Sequence, residues 1–152
     1  IIPYSAQDWS RSLEFLKQSE HHLSKFQADP VRLQSIYAAM IPAYYSLKNL
    51  DEGLENCNKI LELCKTSGET ECIADAYAGI GKIFEERKML KDALKAYQEA
   101  EKYEVKYFGK DHPHTQATAE KILELQQYFT RKELKRSLKN SQKLDCDHQK
   151  NK

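Results

Sequence analysis

Four cysteines are the residues of this sequence best suited to metal or redox chemistry. They are Cys57, Cys64, Cys72 and Cys146. A zinc site usually contains two closely spaced ligands, as in CxxC, and the sequence has no CxxC. Cys57 and Cys64 lie seven residues apart, where a helical pattern places apolar side chains. We therefore predict that these two are reduced core thiols of a cytoplasmic protein, and that the chain holds no metal.

The five histidines do not suggest a metal site either. His21 and His22 are adjacent, so on a helix they point to different sides. His112 and His114 flank a proline among turn residues, and His148 lies in a polar tail. We interpret the pair around the proline as part of a loop between helices, and not as ligands or a catalytic dyad.

The motifs of the common enzyme classes are absent from the sequence. It contains no GxSxG, no Walker loop, no HExxH and no glycine-rich phosphate loop. Gly79 and Gly81 fall inside a helical pattern, where glycines serve packing. The carboxylate-rich stretches FEERK (84–88) and DEGLE (51–55) match solvated helix faces. We predict a protein that is not an enzyme and uses no cofactor and no small-molecule substrate.

The composition indicates a single α-helical domain. The 152 residues are rich in Leu, Lys, Glu, Ala and Gln, whereas valine occurs only at Val31 and Val105. The net charge is +1, so we do not expect nucleic acid as a partner. No apolar run reaches the roughly 18–20 residues of a membrane span. The chain starts at Ile1 and not at Met, which suggests a piece of a longer protein, and its first residues do not resemble a signal peptide.

A repeat with an offset of 40 residues organises the chain. At nine positions, residues separated by 40 match in kind without a gap, with internal spacings of 3, 4 and 7 that are helical. Large side chains alternate with small ones, which predicts helices whose backbones approach closely at the small residues. The predicted repeat-packing positions are Tyr37, Met40, Ile41, Tyr44, Gly53, Cys57, Tyr77, Ile80, Gly81, Phe84, Ala93, Tyr97 and Ala100.

Turn residues divide the pattern into two units, at about 30–68 and 70–109. Each unit has room for two helices joined by a turn of a few residues, so the two helices must be antiparallel. Asp29 precedes a proline, as expected at a helix start, and Gly68 and Gly109 stand where the second helices should end.

Residues 77–103, YAGIGKIFEERKMLKDALKAYQEAEKY, resemble a tetratricopeptide repeat, with large and small residues in the family's order. The stretch GKDHPHTQATAEKIL that follows, and the period of about 40–42 residues, resemble the long repeats of kinesin light chains and their relatives. The resemblance covers roughly residues 30–127. It implies an all-α fold, a right-handed α-solenoid of about six helices in antiparallel pairs, with a concave face that binds protein partners.

Further helices are predicted at both ends of the two units. Residues 5–26 match a second-helix position and residues 113–129 a first-helix position, so the predicted repeat domain spans residues 1–129. Residues 130–152 contain eight basic and three acidic residues, a net charge of +5. We expect this charged extension to be helical at first and disordered beyond about residue 141, and to serve solubility.

Pro42 falls in the middle of a predicted first helix. There it removes one backbone hydrogen bond and clashes with the preceding turn, at a cost of about 3 kcal/mol. The helical phase of Met40, Ile41 and Tyr44 continues across it, which favours a kink facing the concave side. A break of the helix near Met40 is the alternative.

The resemblance also implies where a partner would bind. The first-helix residues that do not face the partner helix would line a polar, largely acidic groove suited to a basic or mixed peptide. We predict a protein–protein interaction module that binds a peptide or helical segment there. The alternatives are a structural end segment of a longer helical-repeat scaffold, and an accessory repeat domain of an enzyme. The candidate groove residues are Pro42, Tyr45, Asp75, Lys82, Glu85, Glu86, Glu124, Gln127 and Tyr128.

Overall fold

The computed structural model describes residues 5–25 and 29–150, and these residues form six α-helices and no strand. The helices are α1 (Ala6–Lys25), α2 (Pro30–Ser46), α3 (Leu50–Ser67), α4 (Thr70–Glu86), α5 (Leu90–Phe108) and α6 (Pro113–Lys150). The all-α class and the count of about six helices are therefore confirmed for the described residues.

The helices stack in chain order. Each helix packs against the next one, and α2 also touches α4. From α2 onward, turns of two to four residues join the helices, so consecutive helices are antiparallel. The first helices of successive units begin at Pro30, Thr70 and Pro113, which are 40 and 43 residues apart. The helical-repeat fold with a long period is therefore present.

The joints between helices repeat as regularly as the helices do. Gly68 and Gly109 follow the ends of α3 and α5 with positive φ angles of 77° and 88°. Glycine adopts this conformation without steric cost. The turns within the two helix pairs instead use Lys48 and Lys88, with φ of 58° and 60°. These lysines lie 40 residues apart, so the repeat includes the backbone conformation of the turn, which sequence reasoning had missed.

The core lies along the seams between successive helices. Ten of the thirteen repeat-packing positions are buried, whereas Ile41, Tyr77 and Phe84 are half-buried and pack against the core. The small residues have a geometric role. A Cβ added to Gly53 would lie 3.2 Å from the Cβ of Tyr44, so glycine lets α3 approach α2 at this point.

Helix α2 is continuous from Pro30 to Ser46 and contains Pro42 in its interior. The alternative of a break near Met40 is therefore wrong. Met40 and Tyr44, on either side of the proline, are both buried in the core. Their packing against neighbouring helices holds the chain helical across the position where one backbone hydrogen bond is missing.

The cysteine prediction is wrong for one of its two residues. Cys64 at the end of α3 forms a disulfide with Cys72 in α4, with Cα atoms 6.1 Å apart. The turn at Gly68 brings the two cysteines face to face, a pairing that inspection of one helix alone does not reveal. Cys57 is a free, buried thiol, and burial raises its pKa to about 12. It therefore behaves as an apolar core residue.

Helix α6 extends much further than expected. It runs to Lys150, past residue 141, beyond which we expected disorder. The sequence after Pro113 has no glycine or proline to end a helix, and its Leu, Lys, Glu, Arg and Gln residues favour helix. Among residues 113–143 of α6, Leu125 is the last buried residue, and every side chain from residue 130 to 143 is exposed.

No helix in the described part of the chain is long and apolar enough to cross a membrane.

Candidate functional site

One face of the stack carries two adjoining clefts, built mainly by helices α2 and α4. The tyrosine cleft has a volume of about 640 Å³. It is lined by Ile41, Pro42, Tyr45, Ser46, Gly79, Lys82, Ile83, Glu85, Glu86, Lys88, Tyr97 and Lys121. The acidic cleft has a volume of about 530 Å³. It is lined by Gln34, Ser35, Ala38, Ile41, Ile60, Gly68, Glu69, Thr70, Glu71, Cys72, Asp75, Ala76 and Tyr107.

The two clefts form one groove because they share Ile41 and follow the same helix faces. On α2, Ala38, Pro42 and Tyr45 are spaced by four and three residues, so they share one face. On α4, Asp75 and Lys82 are seven residues apart and likewise share a face. The residues of both helices that pack in the core lie on a different side of each helix.

Tyr45 is held in place at the edge of the tyrosine cleft. Its hydroxyl donates a hydrogen bond to Glu86 Oε1 at 2.8 Å, and Lys48 Nζ bonds the other carboxylate oxygen at 2.8 Å. The Lys48 ammonium also lies 5.1 Å from the centre of the Tyr45 ring. The hydrogen bond from Lys48 lowers the pKa of Glu86, and the bond to Glu86 raises the pKa of Tyr45. The aromatic ring is thus pre-positioned.

Glu85 is also satisfied from within the protein. It accepts hydrogen bonds from the Tyr97 hydroxyl at 2.9 Å and from Lys121 Nζ at 3.1 Å. Lys121 reaches Glu124 as well, at 3.2 Å. Burial and the bond to Glu85 raise the pKa of Tyr97. The cleft therefore has two neutralised carboxylates, while Lys82 forms no ion pair within the described residues.

The acidic cleft is lined by negative charges, whereas the tyrosine cleft is lined by three lysines and two glutamates. Glu69, Glu71 and Asp75 line the acidic cleft together, and its lining contains no Lys or Arg. Glu69 accepts a hydrogen bond from the Gln34 amide at 2.8 Å, and the neighbouring Glu71 carboxylate raises the pKa of Tyr107. The low-dielectric surroundings raise the pKa of Asp75, and the negative charge of Glu71 adds to the shift. The groove is thus polarised along its length, with carboxylates in the acidic cleft and Lys82 in the tyrosine cleft.

The structure brings together six of the nine predicted groove residues. Five line the tyrosine cleft and Asp75 lines the acidic cleft. Glu124 reaches the groove only through Lys121, and Gln127 and Tyr128 lie outside both clefts. The five in the tyrosine cleft are Pro42, Tyr45, Lys82, Glu85 and Glu86.

Sequence reasoning missed several groove residues. Lys121 lies one helical turn before Glu124, the residue that matches Lys82 at the offset of 42 residues between α4 and α6, so the predicted position was one turn away. Lys88 and Glu69 stand in turns between helices, and Tyr107 ends a second helix, so first-helix periodicity gives no signal for them.

Outside the groove, one buried carboxyl group joins α5 to α6. Glu104 Oε1 accepts a hydrogen bond from the Thr118 hydroxyl at 3.0 Å, while Oε2 has no partner within the described residues. Burial raises the pKa of this group. We assign this group to the packing of α5 against α6. In the described part of the chain, no three metal-ligating side chains come together.

Comparison with known proteins shows what the repeat is similar to. Residues 35–103 match the family model of the tetratricopeptide repeat. A similar solved structure is that of BtubC (BKLC) from P. vanneervenii, with a TM-score of 0.69 and 17% sequence identity. The alignment covers 82% of this chain and 49% of that one, so this chain spans about half its length. No curated protein matches. Repeats of this family generally mediate protein–protein interaction.

Proposed function

We propose, from the premise that residues 35–103 are tetratricopeptide repeats, that this chain is a non-catalytic module that binds a peptide or helical segment of a partner protein in its groove. The observation that carries the proposal is the polarised groove itself. An apolar floor at Ile41 and Pro42 lies between the free ammonium of Lys82 and three carboxylates in the acidic cleft. A protein segment can satisfy such a mixed surface along several residues.

The charges indicate the kind of segment that fits. Glu69, Glu71 and Asp75 would attract a basic side chain, because a cation between them lowers the electrostatic repulsion among the three carboxylates. Lys82 would pair with a carboxylate or a main-chain carbonyl at the other end of the groove. A mixed segment, with a basic residue a few positions from an acidic one, therefore suits the groove better than a purely acidic one.

Two features prepare the groove for main-chain and aromatic contacts. Tyr45 is fixed by Glu86 and Lys48, so little side-chain entropy is lost when a ligand packs on its ring. Pro42 has no N–H, so the Ala38 carbonyl in the acidic cleft lacks its α-helical donor. A donor on a bound segment would supply the hydrogen bond that this carbonyl lacks.

A random-peptide display selection on the purified chain tests the proposal. Selected peptides should share a basic residue and should bind the wild type but not a Tyr45→Ala, Lys82→Glu double variant. A Tyr128→Ala, Lys95→Glu variant is the matched control, because it makes the same changes away from both clefts. Equal loss of binding in the control, or unchanged binding in the groove variant, would place the binding site elsewhere.

A structural role in a longer helical array is the second candidate, and an exposed residue favours it. Leu123 is 54% exposed, and it occupies the α6 position that matches Gly81 of α4. Gly81 is covered by Tyr97 of the following helix, whereas Leu123 has no such cover in the described chain. If this face docks another repeat or subunit, light scattering should show association that a Leu123→Ser variant abolishes.

The remaining predictions are not decided by the groove. An accessory role beside a catalytic domain stays a prediction, as does a cytoplasmic location. The Cys64–Cys72 disulfide counts against the cytoplasm, because such bonds are rare in reducing compartments.

A further inference from the structure

Residues 130–143 of α6 stand free of the repeat stack. Every side chain from residue 130 to 143 is exposed, a stretch that we call the free segment. The preceding part of α6 is anchored in the core by Ile122 and Leu125. Over the free segment, the helix therefore presents its whole circumference to solvent.

The charges of the free segment are concentrated on one side. Successive residues of an α-helix are rotated by about 100°, so all six cations fall within an arc of about 140°. Glu133, the only acidic residue of the segment, lies outside that arc. Four of the cations follow one another at i, i+4 and form a row about 18 Å long. The six cations are Arg131, Lys132, Lys135, Arg136, Lys139 and Lys143.

These cations are not neutralised within the described chain. None of them takes part in an ion pair there, although Lys132 lies 5.9 Å from the centre of the Tyr128 ring. Like charges at i, i+4 destabilise an isolated helix. The free segment also lacks tertiary packing that could offset this repulsion. An anionic partner lying along the row would remove the repulsion.

Two exposed leucines beside the cationic arc argue against several classes of partner. Leu134 and Leu138 are 61% and 55% exposed, and they lie one turn apart along its edge. A nucleic-acid backbone would leave them uncovered. A bilayer would gain little from two leucines in a segment without aromatic residues. A second copy of the free segment would repel the first through its own cations.

We propose that the free segment is a docking site for an acidic amphipathic helix of another protein. Carboxylates at i, i+4 on that helix repeat every 6 Å or so, as do the cations of the row. Its apolar side chains cover Leu134 and Leu138. This site is separate from the groove and does not depend on a ligand bound there.

The probe for this site is a synthetic helical peptide of about 20 residues, roughly 30 Å long. It carries glutamates at i, i+4 along one face, with leucines beside them. A second peptide of equal composition spreads the glutamates around the helix. Fluorescence anisotropy on the full chain at about 150 mM salt should show binding of the first peptide and much weaker binding of the second. Equal binding of the two peptides would overturn the proposal.

Variants of the chain locate the contact. Lys135→Glu with Lys139→Glu should weaken binding of the ordered peptide by about tenfold or more, since two attractions become repulsions. Leu134→Ser with Leu138→Ser should weaken it by about threefold or more, which a purely electrostatic contact would not show. Lys91→Glu with Lys95→Glu, on exposed positions of α5 at the same spacing, should leave it unchanged.

Two further probes test the other classes of partner. Duplex DNA and phosphatidylserine vesicles are offered to the same variants. Tighter binding of either probe than of the ordered peptide would overturn the proposal, as would insensitivity to the leucine substitutions. Circular dichroism of each variant checks that the helical content is retained.

Discussion

Gly81 lies directly against the ring of Tyr97, so that a methyl group added to its Cα would come within 2.8 Å of the ring carbon Cε1. The contact joins α4 to α5 at the seam where Ala93 and Ala100 are also fully buried. It also connects the core to the groove, because the Tyr97 hydroxyl bonds Glu85 in the tyrosine cleft. A substitution at Gly81 therefore affects both the packing of the core and the tyrosine cleft.

The Gly81–Tyr97 contact predicts that Gly81→Ala destabilises the fold, although alanine is the better helix former. Alanine gains up to about 1 kcal/mol in helix propensity. Forcing the methyl group against a packed ring costs about 1–3 kcal/mol. We expect a net loss of about 1 kcal/mol in urea unfolding. In a Tyr97→Ala background the ring is gone, so the same substitution should become stabilising. A stabilising effect in the wild-type background would contradict the packing argument.

The Cys64–Cys72 disulfide predicts a stability that depends on reductant. The bond closes a short loop between α3 and α4, with a sequence separation of 8. Closing so short a loop stabilises the folded chain by about 2.5 kcal/mol in the chain-entropy view. Urea unfolding with and without dithiothreitol should differ by this amount. A Cys64→Ala, Cys72→Ala variant should not respond to the reductant, and an equal response in the variant would exclude the disulfide as the cause.

The repeat could be predicted from the sequence because its physical basis is local. A large residue opposite a small one, such as Tyr97 opposite Gly81, is visible as a pair of residue types at fixed spacing. Glycine joints such as Gly68 and Gly109 are visible for the same reason, because only glycine adopts their positive φ without strain.

The remaining features depend on how elements meet in space, which the spacing along one helix does not report. Cys64 was interpreted on its own helix, whereas its partner Cys72 lies across a turn on the next one. Lys88 and Tyr107 enter the groove from the ends of helices. The length of α6 was underestimated because apolar periodicity marks packing, and a free helix such as the segment 130–143 has none.

The buried carboxyl of Glu104 predicts a stability that falls as the pH rises. Burial raises its pKa above the ordinary 4.5, and the negative charges of Asp75 and Glu101 act in the same direction. The Thr118 hydrogen bond and the charge of His114 oppose the shift. Because the folded chain holds this proton more tightly than the unfolded chain, its contribution is full below pH 4.5 and is lost as the pH rises through the folded-state pKa.

A Glu104→Gln variant isolates this effect, since the amide is neutral at every pH. Urea midpoints measured from about pH 4.5 to 8 should fall less with pH in the variant than in the wild type. Glu62→Gln, at an exposed position of α3, should keep the wild-type slope. Parallel profiles for Glu104→Gln and the wild type would show that the carboxyl is not responsible.

Pro42 predicts opposite effects on stability and on binding. Pro42→Ala restores an N–H that can bond the Ala38 carbonyl and removes a clash within α2, so we expect a gain of about 1–3 kcal/mol in urea unfolding. Pro30→Ala is the matched control, because proline is favourable at the start of a helix and its loss should bring no gain.

The same Pro42→Ala change removes the ring from the floor of the tyrosine cleft and satisfies the carbonyl. Peptides selected on the wild type should therefore bind the more stable variant less tightly. If Pro42→Ala binds them equally well, the proline has no role in the groove, and if it unfolds more easily, the ring itself is needed for packing.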